Sequence, residues 1–353
     1  MYGDGDRRMG DFAKRLLRWW DRHGRHDLPW QGQRDPYRVW VAEIMLQQTQ
    51  AATVCAYYPR FLERFPTVQS LAAATLDEVL ALWSGLGYYA RARNLHRAAR
   101  VLVDEHRGRF PEQPEGWMRL PGIGRSTAAA IVAQAWNRRA VILDGNVRRV
   151  LARHALIDEW PGRARVERKL WEEAERRTPG RRVADYTQAI MDLGATVCTR
   201  HRPACERCPV AGDCGARAAD QVARLPTPRP RARRRERSAR FMILSDPSGR
   251  VLLQRRPPAG IWGGLWCLPE PDEVPQIDGH GRLRPTPAPL RHPFTHFVLL
   301  MSFEHRRVQT PPAWLQDRDD WQWFALDELD RLGLPEPIRR VLGDLDAASD
   351  RQE

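Results

Sequence analysis

The most informative stretch of the chain is LPGIGRSTAAAIV, residues 120–132. Pro121 fixes one backbone φ angle, while Gly122 and Gly124 permit conformations that other residues avoid. Ser126 can cap a helix, which the alanine-rich run then continues. A glycine-bracketed turn that opens a helix presents unpaired backbone N–H groups at the positive end of the helix dipole, where an anion such as phosphate binds. The same residues also fit a plain connection between two helices, so this pattern alone leaves both interpretations open.

Composition and charge point to an anionic partner. The chain has 353 residues, of which 42% are hydrophobic, and it carries a formal charge of +13. This length allows two domains or more, and the positive balance favours nucleic acid. Part of the charge is local, because residues 224–240 contain eight Arg and one Glu. The N-terminus lacks an apolar signal segment and no apolar run reaches about 18 residues, so we expect a soluble cytoplasmic protein with no membrane partner.

The spacing of apolar residues changes along the chain. Stretches such as YRVWVAEIMLQQTQ and VERKLWEEAERR repeat apolar residues at helical spacing, and Gly and Pro separate them. Strand-like runs such as FMILS and HFVLLMSFEH appear only later. The sequence therefore predicts a multidomain protein with an all-α region over 1–222, an Arg/Pro-rich linker over 223–237 and an α+β domain over 238–345. The linker fits either a solvated tether or a tether that also contacts phosphate.

Four of the six cysteines follow the pattern C-x6-C-x2-C-x5-C. In a reducing compartment such a cluster indicates a metal site rather than disulfides. Zinc ribbons usually pair two C-x2-C elements and this chain has one, so the spacing favours a 4Fe-4S cluster without excluding zinc. The candidate ligands are Cys198, Cys205, Cys208 and Cys214.

Taken together, these motifs resemble those of the MutY-type adenine DNA glycosylases, which belong to the helix–hairpin–helix superfamily. The resemblance rests on WVAEIMLQQTQ, GLGYYARARNL, LPGIGRSTA, ILDGNVRRVLAR, MDLGATVCTR and the four-cysteine loop. The segments RPPAGIWGGLWCLPE and HPFTHF resemble the NUDIX-like recognition domain of that family. The implied architecture is a six-helix module over about 29–137, an iron–sulfur module from 1–28 and 138–222, and a NUDIX-like domain over 238–345.

The resemblance implies a DNA repair enzyme. Its substrate would be double-stranded DNA in which adenine is mispaired with 8-oxoguanine or guanine, and its action would be to flip out and excise the adenine. It would act as a monomer and, in a bacterial-type cell, in the cytoplasm on the DNA of the nucleoid.

Cleavage of an N-glycosidic bond needs an acid for the leaving base and a negative charge for the cationic sugar. Glu43 stands alone among apolar residues in VWVAEIML, where desolvation would raise its pKa, although a solvated helix face would also accommodate it. Asp144 follows an apolar run and fits the position of a helix cap. The resemblance implies that Glu43 donates the proton, that Asp144 stabilises the sugar, and that Asn146 supports the pocket.

Ser126 stands at a position that separates two branches of the superfamily. In the endonuclease III branch a lysine follows the hairpin and attacks the sugar as a Schiff-base nucleophile. The lysines of this chain are Lys14 and Lys169, and both lie outside the motif. The resemblance therefore predicts a monofunctional glycosylase that leaves an abasic site.

The resemblance also assigns contacts with the DNA and with both bases of the mispair. The implied adenine pocket consists of Trp30, Gln31, Leu46 and Gln188. The implied DNA contacts are Gln48, Thr49, Leu86, Gly87, Tyr88, Gly122, Gly124, Arg125 and Ser126. The implied 8-oxoguanine contacts are Phe294, Thr295 and His296. Trp30 and Tyr88 could also be core aromatics, an interpretation that their loop positions beside Pro and Gly disfavour.

Four other functions compete with this hypothesis. A thymine/G mismatch glycosylase or an oxidised-pyrimidine lyase is disfavoured by the C-terminal domain, and the lyase also by the missing lysine. NUDIX hydrolysis needs a Glu-rich helix that binds a divalent metal, and no such helix follows LPEPDEVPQIDGHGRLRP. A non-catalytic DNA-binding iron–sulfur protein is disfavoured because both Glu43 and Asp144 are present.

Overall fold

The structure, a computed structural model, describes residues 6–32, 34–229, 235–258, 260–274, 281–294, 296–308 and 318–349. Contacts divide the chain into two compact units. The first unit comprises Met1–Ala72 and Arg97–Arg231, and the second comprises Ala73–His96 and Ala232–Glu353. The second unit thus combines a helical segment with the C-terminal region, a grouping that the sequence alone does not predict.

Within residues 6–229, the described part of the chain contains helices and no strand, as predicted. The helices are α1 (Asp6–His23), α2 (Pro36–Leu46), α3 (Ala51–Arg64), α4 (Val68–Ala73), α5 (Leu76–Trp83), α6 (Ala90–Asp104), α7 (Pro114–Met118), α8 (Arg125–Trp136), α9 (Gly145–His154), α10 (Ala164–Arg177), α11 (Val183–Asp192) and α12 (Gly215–Ala218). A π turn continues α11 over Leu193–Val197, and two 3-10 turns lie in the cysteine loop at Cys205–Arg207 and Ala211–Asp213. None of the described helices is long and apolar enough to cross a membrane.

Helix α8 forms the centre of the first unit. Most of its side chains are buried, and helices α2, α7 and α11 all pack against it. A helix that is apolar on every side is typical of a core position. Beside it, the fully buried rings of Trp40 on α2 and Trp117 on α7 lie with their centroids 5.6 Å apart.

A buried carboxylate joins α1 to α11. Asp192 is fully buried and accepts hydrogen bonds from Trp20 Nε1 at 3.1 Å and from the backbone N–H of Arg25 at 2.9 Å. The Arg25 guanidinium also pairs with Asp192 Oδ1 at 2.6 Å. Gln188 Nε2 donates to the same oxygen at 2.9 Å. The pairing is what makes a buried charge tolerable here, because an isolated carboxylate away from water is strongly unfavourable.

The second unit is built around one mixed sheet. Its central pair, β1 and β6, is parallel, and the other pairings are antiparallel. The strand order is β3-β2-β1-β6-β4, with β5 also on β6 and β7 also on β2. The strands are β1 (Arg235–Ser245), β2 (Val251–Arg255), β3 (Trp266–Cys267), β4 (Gly281–Leu283), β5 (Leu290–Pro293), β6 (Phe297–Val308) and β7 (Trp321–Phe324), and helix α13 (Glu336–Ser349) closes the chain.

The sheet is apolar on both faces, because side chains alternate along each strand. Phe241 and Ile243 of β1 enter a large cluster with α13 residues such as Ile338, whereas Met242 and Leu244 enter a smaller cluster on the other face. One detail differs from the sequence-based expectation: strand β1 already begins at Arg235, within the range 223–237 that the sequence analysis assigned to the linker.

We predict that Asp192→Ala lowers the free energy of unfolding of the first unit by about 3–5 kcal/mol, because it leaves Arg25 and the Trp20 N–H without their buried acceptor. Urea unfolding followed by tryptophan fluorescence measures this. Asp185→Ala is the matched control, since Asp185 pairs with Arg182 at the surface and its loss should cost less than about 1 kcal/mol. Equal losses in the two variants would contradict the role of Asp192.

Candidate active site

Glu43 is carried by helix α2, which has a well-defined start. Asp35 Oδ1 accepts the backbone N–H groups of Tyr37 and Arg38, and Pro36 occupies the first helical position. Both features favour helix initiation at this point. Glu43 then falls among the buried side chains of α2, in the interface with α8.

The carboxyl of Glu43 lies in an environment that favours its protonated form. Burial raises its pKa from an ordinary value to about 7, and the nearby negative charge of Asp144 adds to the rise. The residue as a whole keeps partial exposure. The surrounding protein thus desolvates the carboxyl, while part of the residue remains accessible to solvent. Both properties suit a group that exchanges protons near neutral pH.

Gln134 is the hydrogen-bond partner of Glu43. Its Nε2 donates to Glu43 Oε1 at 2.6 Å. An amide N–H can only donate, so Oε1 must act as an acceptor and the carboxyl proton is left to Oε2. The sequence analysis missed this residue. Its signal was available, because Gln134 is the one polar side chain in the apolar run AAAIVAQAW.

Asp144 is the N-cap of α9. Its Oδ1 accepts the Val147 N–H at 2.8 Å, and Asn146 Nδ2 approaches Oδ2 at 3.4 Å. Burial raises the pKa of Asp144, while these hydrogen bonds and the charge of Arg149 act in the opposite direction. The carboxyl therefore combines the predicted cap with a position close enough to influence Glu43.

Arg149 orders the residues around Asp144. Its Nη2 donates to Asn146 Oδ1 at 2.8 Å and to Gly194 O at 2.6 Å. Its Nε donates to Cys198 O at 2.7 Å. Sequence analysis did not select Arg149, which stands in a basic helix and has no distinguishing pattern of its own.

Ser126 makes a contact that explains its position. Its Oγ accepts the backbone N–H of Leu143 at 3.0 Å. Leu143 directly precedes Asp144, so the hydroxyl holds the chain where it enters α9. This bond uses the acceptor capacity of the hydroxyl and leaves its proton free to be donated.

The hairpin at 120–124 has the geometry expected for a glycine turn. Gly122 adopts φ 79°, Gly124 is the N-cap of α8 without any side-chain cap, and both are exposed. The first backbone bond of the helix joins Ala128 N–H to Gly124 O, so the preceding N–H groups have no partner within the helix. Arg125 is exposed beside them, with its guanidinium carbon 3.8 Å from the centroid of the Trp171 ring.

The residues of the implied adenine pocket are more buried than the rest of the predicted contacts. Trp30 is 3% exposed and packs edge-to-face against Tyr58, with centroids 5.7 Å apart. Gln188 is held by Asp192 through its Nε2. Both side-chain amide atoms of Gln31 are buried without a hydrogen-bond partner, which is costly unless a ligand satisfies them. Leu46 is partly exposed at the end of α2.

Gln48 and Tyr88 share an unusual backbone conformation. Gln48, in the first unit, is exposed with φ 57°, and Tyr88, in the second, is 50% exposed with φ 50°. Positive φ is unfavourable for residues other than glycine and tends to occur at functional sites. Thr49 is partly exposed beside Gln48. Leu86 is only 5% exposed, so a contact between its side chain and DNA would require the turn around it to move.

The candidate 8-oxoguanine contacts lie at the start of β6 in the second unit. Phe294 stacks on Phe297 with centroids 4.6 Å apart and contacts the rings of His292 and Trp262. His296 is exposed. Thr295 lies outside the described residues. The aromatic cluster thus anchors Phe294 and leaves His296 open to solvent.

The four cysteine thiols line one cavity together with apolar side chains. Arg153, which is only 2% exposed, donates from Nη1 to Cys198 Sγ at 3.3 Å and from Nε to Leu225 O at 2.8 Å. This buried guanidinium places a positive charge beside the cavity, which suits a negatively charged group bound there. Among the described residues, no three His, Cys, Asp or Glu side chains converge closely enough to hold a single metal ion.

Comparison with known proteins finds two family models that match parts of the chain, and curated relatives that match it over most of its length. Residues 41–176 match the family model of the HhH-GPD superfamily base excision DNA repair proteins, and residues 240–344 match that of the NUDIX domain. The adenine DNA glycosylase of Buchnera aphidicola (subsp. Baizongia pistaciae) is 32% identical, over 94% of this chain and 95% of its own length. The adenine DNA glycosylase of Homo sapiens is 38% identical, over 74% of this chain and 58% of its own length.

Solved structures agree on the helical fold. A thermostable thymine-DNA glycosylase is 29% identical with a TM-score of 0.53, and it covers 60% of this chain and 98% of its own. A non-covalent endonuclease III–DNA complex is 22% identical with a TM-score of 0.51, and it covers 61% of this chain and 97% of its own. The latter likeness supports the fold alone.

We predict that Gln134→Met raises the pKa of Glu43 above about 7, by about one pH unit, because the lost hydrogen bond favours the carboxylate. Carbon-13 NMR of glutamate-labelled protein follows this titration, with Glu43→Gln identifying the signal. Gln69→Met, on the exposed face of α4, serves as the control and should leave the titration unchanged. An unshifted Glu43 signal in Gln134→Met would contradict the assignment.

Proposed function

Because the chain belongs to the adenine DNA glycosylase family of base excision repair proteins, we propose that it excises adenine mispaired with 8-oxoguanine or guanine in duplex DNA. The observation that carries this proposal is the pair of carboxyls at Glu43 and Asp144, which influence each other while lying in different environments. Glu43 has one amide donor and a pKa near neutrality. Asp144 faces the N–H groups of a helix start.

The two carboxyls would divide the chemistry of glycosidic cleavage. Glu43 would transfer its proton to the departing adenine, so that the base leaves as a neutral molecule. Asp144 would stay charged, because backbone N–H groups and the helix dipole favour the anion, and would stabilise the positive charge on the sugar. Asn146, held by Arg149, would support that position. Water then attacks the sugar carbon and an abasic site is the product.

Ser126 supports a monofunctional reaction. Schiff-base chemistry requires an amine at the sugar, and this position offers a hydroxyl already engaged with Leu143. The two lysines of the chain lie on α1 and α10, outside the hairpin motif. Strand cleavage would therefore need a second enzyme or alkali.

Contacts with the duplex would come from both units. The backbone N–H groups of Gly122, Gly124, Arg125 and Ser126, together with the Arg125 side chain, would suit a DNA phosphate at the start of α8. Gln48 and Thr49 in the first unit, and Leu86, Gly87 and Tyr88 in the second, would enter the duplex beside the extruded base. Phe294, Thr295 and His296 would contact the 8-oxoguanine.

The adenine would be bound by groups that are already in place. Trp30 and Leu46 would offer apolar contact to the flat base, and Gln31 and Gln188 would offer hydrogen bonds to its edge. Gln188 has its Nε2 committed to Asp192, which leaves its Oε1 as the group available to a ligand. The unpartnered amide of Gln31 would gain its missing bonds in the complex.

The cofactor would be a 4Fe-4S cluster held by Cys198, Cys205, Cys208 and Cys214. The shared cavity of the thiols and the buried guanidinium of Arg153 fit an anionic thiolate-bound group. The cluster would stabilise the cysteine loop and take no part in proton transfer. We further propose that the chain acts as a monomer in the cytoplasm, on nucleoid DNA.

We predict that Glu43→Gln abolishes adenine release, because the amide cannot supply the proton. A labelled duplex with one adenine opposite 8-oxoguanine is incubated with each protein, and half of each sample is treated with hot alkali before the strands are sized. The wild type should cleave the adenine strand only after alkali. Glu63→Gln, the same acid-to-amide change at an exposed position of α3, is the matched control and should behave as the wild type.

Two results would count against this function. Cleavage without alkali would reveal a lyase nucleophile, and alkali-dependent cleavage by Glu43→Gln at the wild-type rate would remove Glu43 from the mechanism. Tight binding without cleavage by the wild type would favour a DNA-binding protein.

We predict that the purified protein contains iron, labile sulfide and a broad visible absorption band, and that Cys208→Ser lowers all three. Metal analysis of anaerobically purified protein measures the iron and the zinc together. Cys55→Ser is the matched control, because Cys55 lies on α3 away from the cysteine loop. Stoichiometric zinc without iron would overturn the cofactor.

A further inference from the structure

We propose that Tyr89 and Arg93 are positioning residues that connect the turn at 84–88 to the C-terminal sheet by hydrogen bonds. The affinity of this turn for a mispair would then depend on that sheet. The turn is called the insertion turn below. The inference rests on the proposed function, in which Leu86 and Tyr88 contact DNA, and it concerns contacts inside the second unit alone.

The insertion turn has a constrained backbone. Gly85, Gly87 and Tyr88 all have positive φ, at 90°, 74° and 50°. Two side chains hold it from the helical side. Trp83 Nε1 donates to Gly87 O at 3.2 Å, and Arg91 Nη2 donates to the same oxygen at 3.0 Å. These bonds define the shape of the turn and leave the Tyr88 ring exposed.

A second set of contacts holds the turn from the sheet side. The hydroxyl of Tyr89, directly after the turn, donates to Leu334 O at 2.9 Å. Leu334 is fully buried in the larger core cluster of the sheet, so the acceptor is rigidly placed. Arg93 Nη1 donates to Gly263 O, and Asp77 on α5 pairs with Arg255 on β2. Three polar anchors thus connect the segment around the turn to three different parts of the C-terminal region.

The packing between these anchors is close. A Cβ atom at Gly333 would lie only 2.6 Å from Leu80 Cβ. Helix α5 therefore packs so closely against the backbone of Gly333 that a residue with a side chain would clash there. Gly264 has φ 74°, and a Cβ there would lie 3.3 Å from Arg93 Cδ. This close fit is why a small shift of the sheet would be transmitted to α5 and α6 rather than absorbed.

The connection between β2 and β3, which contains Gly263, also contacts the candidate 8-oxoguanine residues. Trp262, next to the Arg93 acceptor Gly263, packs its ring against Phe294 with centroids 5.8 Å apart. Phe294 in turn stacks on Phe297 at the start of β6, just after His296. A continuous line of contacts therefore runs from the insertion turn through Arg93 and Trp262 to the loop that would meet 8-oxoguanine. Such a line is a physical route by which one contact with the mispair could influence the other.

Two variants and one matched control test the inference. Tyr89→Phe removes the hydroxyl that donates to Leu334 O and that also interacts with Ser84 and Gly85 of the turn. Arg93→Met removes the guanidinium that donates to Gly263 O. Tyr37→Phe removes an equivalent phenol-to-carbonyl bond, to Phe65 O at 2.7 Å, in the first unit. The probe is a duplex with a non-cleavable 2′-fluoro adenine opposite 8-oxoguanine, with 2-aminopurine beside the mispair to report unstacking. A fully paired duplex and thermal unfolding are measured in parallel.

We expect Tyr89→Phe and Arg93→Met each to weaken binding of the mispaired duplex by about five- to tenfold and to reduce the 2-aminopurine signal, at unchanged thermal stability and unchanged affinity for the paired duplex. Tyr37→Phe should bind the mispaired duplex within about twofold of the wild type. If all three variants bind and unstack the mispair equally, the inference is overturned. If the wild type itself does not prefer the mispaired duplex, the proposed function fails instead, and this is visible before any variant is compared.

Discussion

The hydrogen bond from Gln134 to Glu43 is the interaction that sets the electrostatics of the candidate site. It crosses the interface between α2 and α8, where nearly every other side chain is apolar. Without it, the carboxyl would lack a fixed orientation, and burial would hold it protonated over a wider pH range. With it, the desolvation that raises the pKa and the amide that lowers it leave the pKa at about 7. The small alanine side chains of α8 let this helix pack close to α2, so that the Gln134 amide reaches the Glu43 carboxyl.

The second carboxyl owes its properties to a different element. Asp144 is a helix cap, and caps concentrate backbone N–H groups around an anion. Arg149 adds positive charge nearby and spans from Asn146 to the carbonyl of Cys198. Burial raises the pKa of both carboxyls. Asp144 also accepts a backbone N–H at the start of α9, which acts in the opposite direction, whereas Glu43 has the Gln134 amide as its donor.

Much of the fold was predictable from local patterns, and the site only in part. Helical spacing before 222, strand-like runs after 238 and the glycine hairpin at 120–124 all follow from the periodicity and conformational limits of single residues. Glu43 stands out as a charge among apolar residues, but that pattern also fits a solvated helix face, and its selection rested on the family resemblance. The partners that set its behaviour were not predicted, because Gln134 is far from it in sequence and is brought near only by helix packing. The grouping of 73–96 with the C-terminal sheet escaped prediction for the same reason, since Tyr89 and Leu334 are distant in the chain.

Ser126 shows how a substitution can remove one chemistry and strengthen another. A lysine at this position would offer an amine to the sugar, but an ammonium group has no lone pair to accept the Leu143 N–H. The serine hydroxyl accepts that N–H and so holds the backbone one residue before Asp144. In this chain the hairpin helix therefore contributes twice to the site. Through Gln134 it donates a hydrogen bond to Glu43, and through Ser126 it holds the backbone one residue before Asp144. A single helix therefore constrains both carboxyls of the candidate site.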